Sequence, residues 1–318
     1  GYTGKPDSYY RAIINWVKQR YDLDVTKEMI NFVPGIVPGI GMAMNSFTRP
    51  GDKVMIQPPV YHPFAWVTTR NERTLVTNPL KWENGMYRMD LDAFREQVKG
   101  CKLFILCNPH NPGGVVWTED ELRTVAEICY EEKVLVFSDE IHADLTLPPY
   151  KHRPFATISE KAKMNSVTFM SPSKAFNMPG LAASHAIIFN EDLRARFRKF
   201  MDAGELDMGH VFAFLSVEAA YTHGTEWLDQ CLAYIQGNID YVDNFLKTHA
   251  PRIKAIRPQA SYLVWLDCRE LGLNQEALND FFADKAHLAL NDGAMFGKEG
   301  TGYMRLNVAS PRSVIEQA

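Results

Sequence analysis

Apolar residues fall in short, mostly unbroken runs at 53–57, 74–77, 102–107, 134–137, 167–170 and 183–189. A strand with one wet face alternates apolar and polar residues. Runs without alternation predict strands covered on both faces, as in a parallel sheet. Between the third and fourth runs the period changes to that of a helix. Thr118 and Glu121 have the spacing of a capping box, and Leu122, Val125, Ala126 and Cys129 follow on one face. Strand, helix, strand at this spacing is a βαβ unit.

From 209 to 249 the pattern is helical throughout, with Phe212, Leu215 and Ala219, then Leu228, Leu232, Ile235, Ile239, Val242 and Leu246 on the predicted buried stripe. This stretch reads as a connecting helix. Beyond it, 261–266 is strand-like, 275–286 helical and 303–308 strand-like again. The expected fold is α/β: a large domain, residues 1–236, with a mostly parallel sheet and flanking helices, then a smaller α+β domain, residues 237–318.

With 318 residues, 46% hydrophobic and 23% charged, the chain has the composition of a globular protein and is long enough for two domains. The formal net charge of −4 lacks the basic excess that a phosphate backbone requires, which argues against nucleic acid as the main ligand. No apolar run approaches the roughly 20 residues that cross a bilayer, so no membrane segment is expected. The five cysteines show no C-x-x-C spacing and read as reduced core thiols of a cytoplasmic protein, not as disulfides or metal ligands. No metal is expected. The opening Gly1-Tyr2-Thr3-Gly4 carries no signal-peptide pattern.

In parallel sheets, ligands sit outside the carboxyl ends of the strands. There the chain places Asn108-Pro109-His110-Asn111-Pro112-Gly113-Gly114, Ser138-Asp139-Glu140-Ile141-His142 and Ser171-Pro172-Ser173-Lys174. Singly, each has a structural explanation: Asn111 as a turn former, Asp139 as a cap, Lys174 as a solvated lysine, His142 as a core histidine. Together they bring an amide, a carboxylate and an amine to one rim. Pyridoxal 5′-phosphate requires such a set: a lysine for a Schiff base, an acid for the pyridine nitrogen, a donor near the phenolic oxygen and a phosphate cradle. Pro34-Gly35-Ile36-Val37-Pro38-Gly39, ahead of a predicted helix, offers backbone N–H groups to an anion, and Ser171 and Ser173 offer hydroxyls.

With these motifs in the order 108–114, 138–145 and 171–181, the sequence resembles the fold-type I pyridoxal phosphate enzymes of the aminotransferase class I/II superfamily. Pro-Pro-Val-Tyr-His-Pro-Phe at 58–64, the loop to Trp117, and His142 where aminotransferases usually have tyrosine make it look most like the cystathionine β-lyase branch, the carbon–sulfur lyases. The resemblance implies that Lys174 carries the cofactor, Asp139 pairs with the pyridinium and Tyr61 stacks on the ring. Asn111 and His142 would lie near the phenolic oxygen, while Gly35, Ile36, Val37, Ser171 and Ser173 would hold the phosphate. Arg305 matches the arginine that binds the substrate carboxylate, and Tyr2 resembles a tyrosine reaching the phosphate of the partner in a homodimer.

The sequence departs from the family at Gly113, where Thr or Ser is usual, and at Ala182 and Ala183, where many aminotransferases carry an arginine. The family's N-terminal segment and final helix are expected to be missing. The implied activity is β-elimination from cystathionine or another S-substituted cysteine to thiol, pyruvate and ammonia. An aminotransferase acting on an amino acid and a keto acid, and a pyridoxal phosphate protein with a regulatory binding role, remain the alternatives.

Overall fold

The computed structural model describes residues 4–318. In chain order its strands are β1 Ile30–Val33, β2 Lys53–Ile56, β3 Thr74–Thr77, β4 Lys81–Glu83, β5 Met86–Arg88, β6 Cys101–Cys107, β7 Leu135–Asp139, β8 Ser166–Met170, β9 Ser184–Ile187, β10 Lys254–Ile256, β11 Leu263–Asp267, β12 Asn291–Asp292 and β13 Tyr303–Asn307. Seven form the large sheet, ordered β1-β9-β8-β7-β6-β2-β3. β3, β2, β6, β7 and β8 are mutually parallel, and β9 runs antiparallel to both β8 and β1. The double reversal points β1 the same way as β8. Its carboxyl end therefore joins those of β6, β7 and β8 at one rim, where β9 begins.

The apolar runs are unbroken because both faces of the sheet are covered. Leu103, Ile105 and Cys107 of β6 pack with Ile36, Ile40 and Phe64, whereas Phe104 and Leu106 pack with Phe94, Trp117 and Leu122. Every residue of β7 and β8 is buried. The capping box forms as predicted: Thr118 Oγ1 accepts the Glu121 N–H at 3.2 Å, Glu121 Oε2 accepts the Thr118 N–H at 2.9 Å, and the helix Glu119–Glu131 follows.

The expected single helix over 209–249 is two, Val211–His223 and Thr225–His249. They part at Gly224, where a Cβ would stand 2.3 Å from Phe176 Cε1 and 2.4 Å from the Ala220 carbonyl oxygen. The predicted stripe also fails in the first helix, since Phe212 and Leu215 are exposed while Ala213, Phe214, Val217 and Tyr221 are buried. That helix is apolar on several faces, so periodicity alone could not select the inward one. In the second helix Leu228, Leu232, Ile235, Ile239 and Val242 are buried as expected. The expected division after residue 236 falls inside it.

The smaller sheet is antiparallel, ordered β10-β11-β13-β12, and β4 and β5 form a separate hairpin. The helix expected over 275–286 is helical at Gln275–Asp280 and continues as a π-turn over Phe281–Lys285. Four of the five cysteines are buried, and Cys231 is partly exposed.

Candidate active site

β7 ends in Asp139, whose Oδ1 accepts the Ile141 N–H at 3.1 Å. The residue is buried, and burial pushes its carboxyl up to about 7; the neighbouring Glu140 charge adds to the rise, while the Ile141 N–H and Lys174 oppose it. Lys174 follows β8 in a turn braced by Ser171, whose Oγ accepts the Ser173 N–H at 3.1 Å and donates to the Ala183 carbonyl at 2.8 Å. Burial holds the Lys174 amine below the ordinary lysine value, as does the Arg305 guanidinium, with Asp139 opposing them. A lysine so placed yields its proton more readily than a solvated one, which frees the amine to act as a nucleophile or base.

Asn111, in the loop after β6, donates its backbone N–H to Cys107 Sγ at 3.3 Å and accepts Arg305 Nη1 on Oδ1 at 2.9 Å. His142 is buried with Nδ1 unpartnered. Burial first, then the Lys174 and Arg305 charges, hold its imidazole down at about 3, so it is neutral at neutral pH. Tyr61 is half-buried, and burial together with the Asp139 charge lifts its phenol above the usual range.

At the end of β1, Gly35 has φ +151°, a value that favours glycine, and it opens the helix Ile36–Phe47. The first N–H groups of a helix have no intrahelical partner, and the helix dipole makes that end positive. Pro38 has no N–H, which leaves those of Ile36 and Val37 facing the rim.

The small sheet closes the site with Arg305 of β13. Its Nη1 donates to Asn111 as above, Nη2 donates to Asn291 Oδ1 at 2.7 Å, and Cζ lies 4.7 Å from the Phe296 ring centroid. Nε is buried without a partner. Gly35, Ile36, Val37, Tyr61, Asn111, Asp139, His142, Ser173, Lys174 and Arg305 line one cavity of about 370 Å³.

The Ser171 hydroxyl bonds the Ala183 carbonyl and Ser173 Oγ, which braces the Lys174 turn, and Ser173 lines the cavity beside it. Tyr2 lies outside the described residues. Gly113, the departure from Thr or Ser, has a steric cause: a Cβ there would meet Tyr87 Cδ2 of β5 at 2.7 Å and His110 Nδ1 at 2.9 Å.

Sequence reasoning missed Tyr262, Asn307, Cys107 and Ile141, which also line the cavity. Asn307 stands two residues beyond Arg305 on the same strand, so strand alternation could have found it. Tyr262 precedes β11 with no motif around it. The whole arrangement can bind an anion at a helix N-terminus, sandwich an aromatic ring beside Tyr61, and present an amine and a carboxylate to it.

The sequence profile described as aminotransferase class I and II matches residues 3–318. Cystathionine beta-lyase PatB of Bacillus subtilis (strain 168) is 39% identical over 318 residues, spanning 99% of this chain and 82% of the relative. The crystal structure of cystalysin from Treponema denticola, which contains a pyridoxal 5′-phosphate cofactor, superposes with a TM-score of 0.97 at 36% identity, covering 100% of this chain and 81% of that one. The pyridoxal phosphate-bound C–S lyase from Staphylococcus hominis superposes with a TM-score of 0.92 at 34% identity, covering 100% of this chain and 83% of that one. With its fold, its rim of functional groups and its sequence in agreement, the chain belongs to the aminotransferase class I and II family.

Proposed function

We propose that the protein is a pyridoxal 5′-phosphate-dependent carbon–sulfur β-lyase that cleaves cystathionine or a related S-substituted cysteine to a thiol, pyruvate and ammonia. The observation that carries this reading is the convergence of Lys174, Asp139, Tyr61 and the Gly35 helix start on one cavity in a chain 39% identical to a cystathionine beta-lyase. The cofactor fits the groups present. The N–H groups of Ile36 and Val37 and the Ser173 hydroxyl suit a phosphate, the unpartnered Nδ1 of His142 lies in the same wall, and a Cβ on Gly35 would meet Pro38 Cδ at 3.3 Å.

When bound, pyridoxal phosphate supplies an aldehyde that condenses with amines and a ring that draws electrons from the substrate Cα. Lys174 Nζ would hold the cofactor and serve as the base for the substrate Cα proton; its lowered basicity suits it to this work near neutral pH. Asp139 in its ionised form would hold a proton on the ring nitrogen, and Tyr61 would pack against the ring. Asn111 and His142 would hold the phenolic oxygen, where neutral His142 can donate or accept. Arg305 holds the substrate carboxylate, for which its fork of donors is preorganised by Asn111 and Asn291. The electrons left at Cα form a Cα=Cβ bond as the Cβ–S bond breaks; the thiolate leaves and takes up a proton, and the released aminoacrylate is hydrolysed by water to pyruvate and ammonia.

The same reading has the protein act in the cytoplasm as a homodimer, with Tyr2 contributing to the partner's phosphate site, and keeps 1–236 and 237–318 as its large and small domains. Competition decides the reaction type. Given cystathionine together with a keto acid, the lyase releases pyruvate at a rate indifferent to the keto acid. Conversion of the keto acid to an amino acid faster than pyruvate release would make the protein an aminotransferase.

A further inference from the structure

Along the helix Thr225–His249, Trp227, Cys231, Tyr234 and Ile235 recur at helical spacing and share one face. That face borders a second cavity of about 290 Å³. Lys174, Tyr262 and Asn307 line both this cavity and the first, so the two meet at Lys174. Asp139, Tyr61 and Arg305 line the first cavity and not the second.

The second cavity is apolar where it is deep and aromatic where it opens. Leu145, Ala175 and Ile235 are buried and form its floor, while Trp227 and Tyr234 are each 50% exposed and stand at its open side. Both rings are held in place. Trp227 stacks on Phe176 with centroids 5.8 Å apart and planes 26° apart, and the Tyr234 hydroxyl accepts the Arg312 N–H at 2.6 Å. Among the described residues, Lys174 is the one charged side chain on this wall; Asn177, Asn307 and Ser310 are neutral. With the substrate carboxylate on Arg305 and its Cα beside Lys174, the sulfur and what it carries come to the wall that the two cavities share. The homocysteine half of cystathionine bears an ammonium and a carboxylate, and the second cavity offers neither a partner, so burying them there is unfavourable. An alkyl or aryl group gains by leaving water for the same surface.

We propose that the second cavity receives the sulfur substituent of the substrate and selects S-substituted cysteines whose leaving thiol is uncharged and apolar, alkyl or aryl, over cystathionine. This rests on the lyase reading given above. Elimination is the same for every such substrate: the Cβ–S bond breaks, the Cα=Cβ bond forms and the thiolate takes up a proton. The cavity decides which thiol is admitted. Trp227 and Cys231 determine specificity and take no part in the chemical step.

The test pairs binding with turnover on the cofactor-loaded protein. Two unreactive probes, norvaline and 2-amino-5-phenylpentanoate, replace the sulfur of S-methylcysteine and S-benzylcysteine by carbon, so neither can lose a thiolate. Calorimetry should show the phenyl probe binding roughly ten- to a hundredfold more tightly than norvaline, the gain from burying an aromatic ring. Cys231→Trp, which fills the cavity, should weaken the phenyl probe by about tenfold or more and leave norvaline unchanged, and Trp227→Ala should remove part of the preference. In turnover, the wild type should have a higher kcat/KM for S-benzylcysteine than for cystathionine. Cys231→Trp should raise KM for S-benzylcysteine with kcat/KM for S-methylcysteine unchanged. Equal affinities for the two probes, equal losses on both in Cys231→Trp, unmoved selectivity in both variants, or a wild type that prefers cystathionine overturns the proposal. Unmoved selectivity together with dissociation of a dimer in Trp227→Ala would make the open side a contact between copies of the chain. If no S-substituted cysteine yields pyruvate while the phenyl probe keeps its preference and Cys231→Trp removes it, the apolar side-chain site stands and the lyase reading falls.

Discussion

The rim of the large sheet and the wall from the small sheet build the same cavity by different means. The rim groups sit at or just beyond the ends of strands buried on both faces, so their backbone positions are fixed by the core. The wall hangs Arg305 and Asn307 on β13, a strand of a separate antiparallel sheet whose outer residues are partly exposed. A rigid rim suits the task of holding a cofactor in one orientation, while a wall on a second unit suits the task of meeting a substrate that comes and goes. The division makes distinct predictions for each side.

The largest effect belongs to Lys174. Lys174→Ala should lose turnover altogether and give a cofactor complex that dialyses away, read by the visible spectrum before and after dialysis. A spectrum unchanged by the substitution would place the attachment elsewhere.

Next comes Asp139→Asn, which keeps the hydrogen-bonding shape without the charge. Turnover should fall about 10²- to 10³-fold, the usual loss on removing a preorganised electrostatic partner, with the cofactor retained. The same variant carries a stability prediction. Burial raises the carboxyl from 3.8 to about 7, so the folded protein keeps a proton that the unfolded chain releases. Its favourable contribution is full below the unfolded value and is lost as pH rises through about 7, a swing on the order of a few kcal/mol. Cofactor-free Asp139→Asn should therefore melt several degrees above the wild type at pH 8 and level with it near pH 4. Equal melting curves at pH 8 would deny the burial cost.

Gly35→Ala forces a side chain onto a backbone at φ +151°, at roughly 1–3 kcal/mol, and should weaken cofactor binding about tenfold or more in an equilibrium titration. The smallest effect is expected from the wall. Arg305→Lys loses the forked geometry and should raise KM about tenfold with the cofactor spectrum intact. A spectral change as large as that in Asp139→Asn would erase the distinction between rim and wall.

The rim was far more legible in the sequence than the wall. Strands buried on both faces write themselves as unbroken apolar runs, and the residue after each run falls at a known edge, so Asn111, Asp139, His142 and Lys174 could be found together. β1 left no such trace, because Ile30–Val33 is short and includes Asn31, whose amide bonds the Met29 and Ala186 carbonyls. Its place beside β9 rests on pairing between distant segments that no local pattern reports. The same holds for the small sheet, where Arg305 came from family resemblance and Tyr262 had no signal at all.

Reduction of the holoenzyme with borohydride, followed by peptide mass mapping, tests most directly whether the large-sheet rim holds the cofactor. The account predicts a single pyridoxyl adduct, confined to the peptide that contains Lys174. An adduct on any other lysine, or none at all in a protein that turns over, would contradict it.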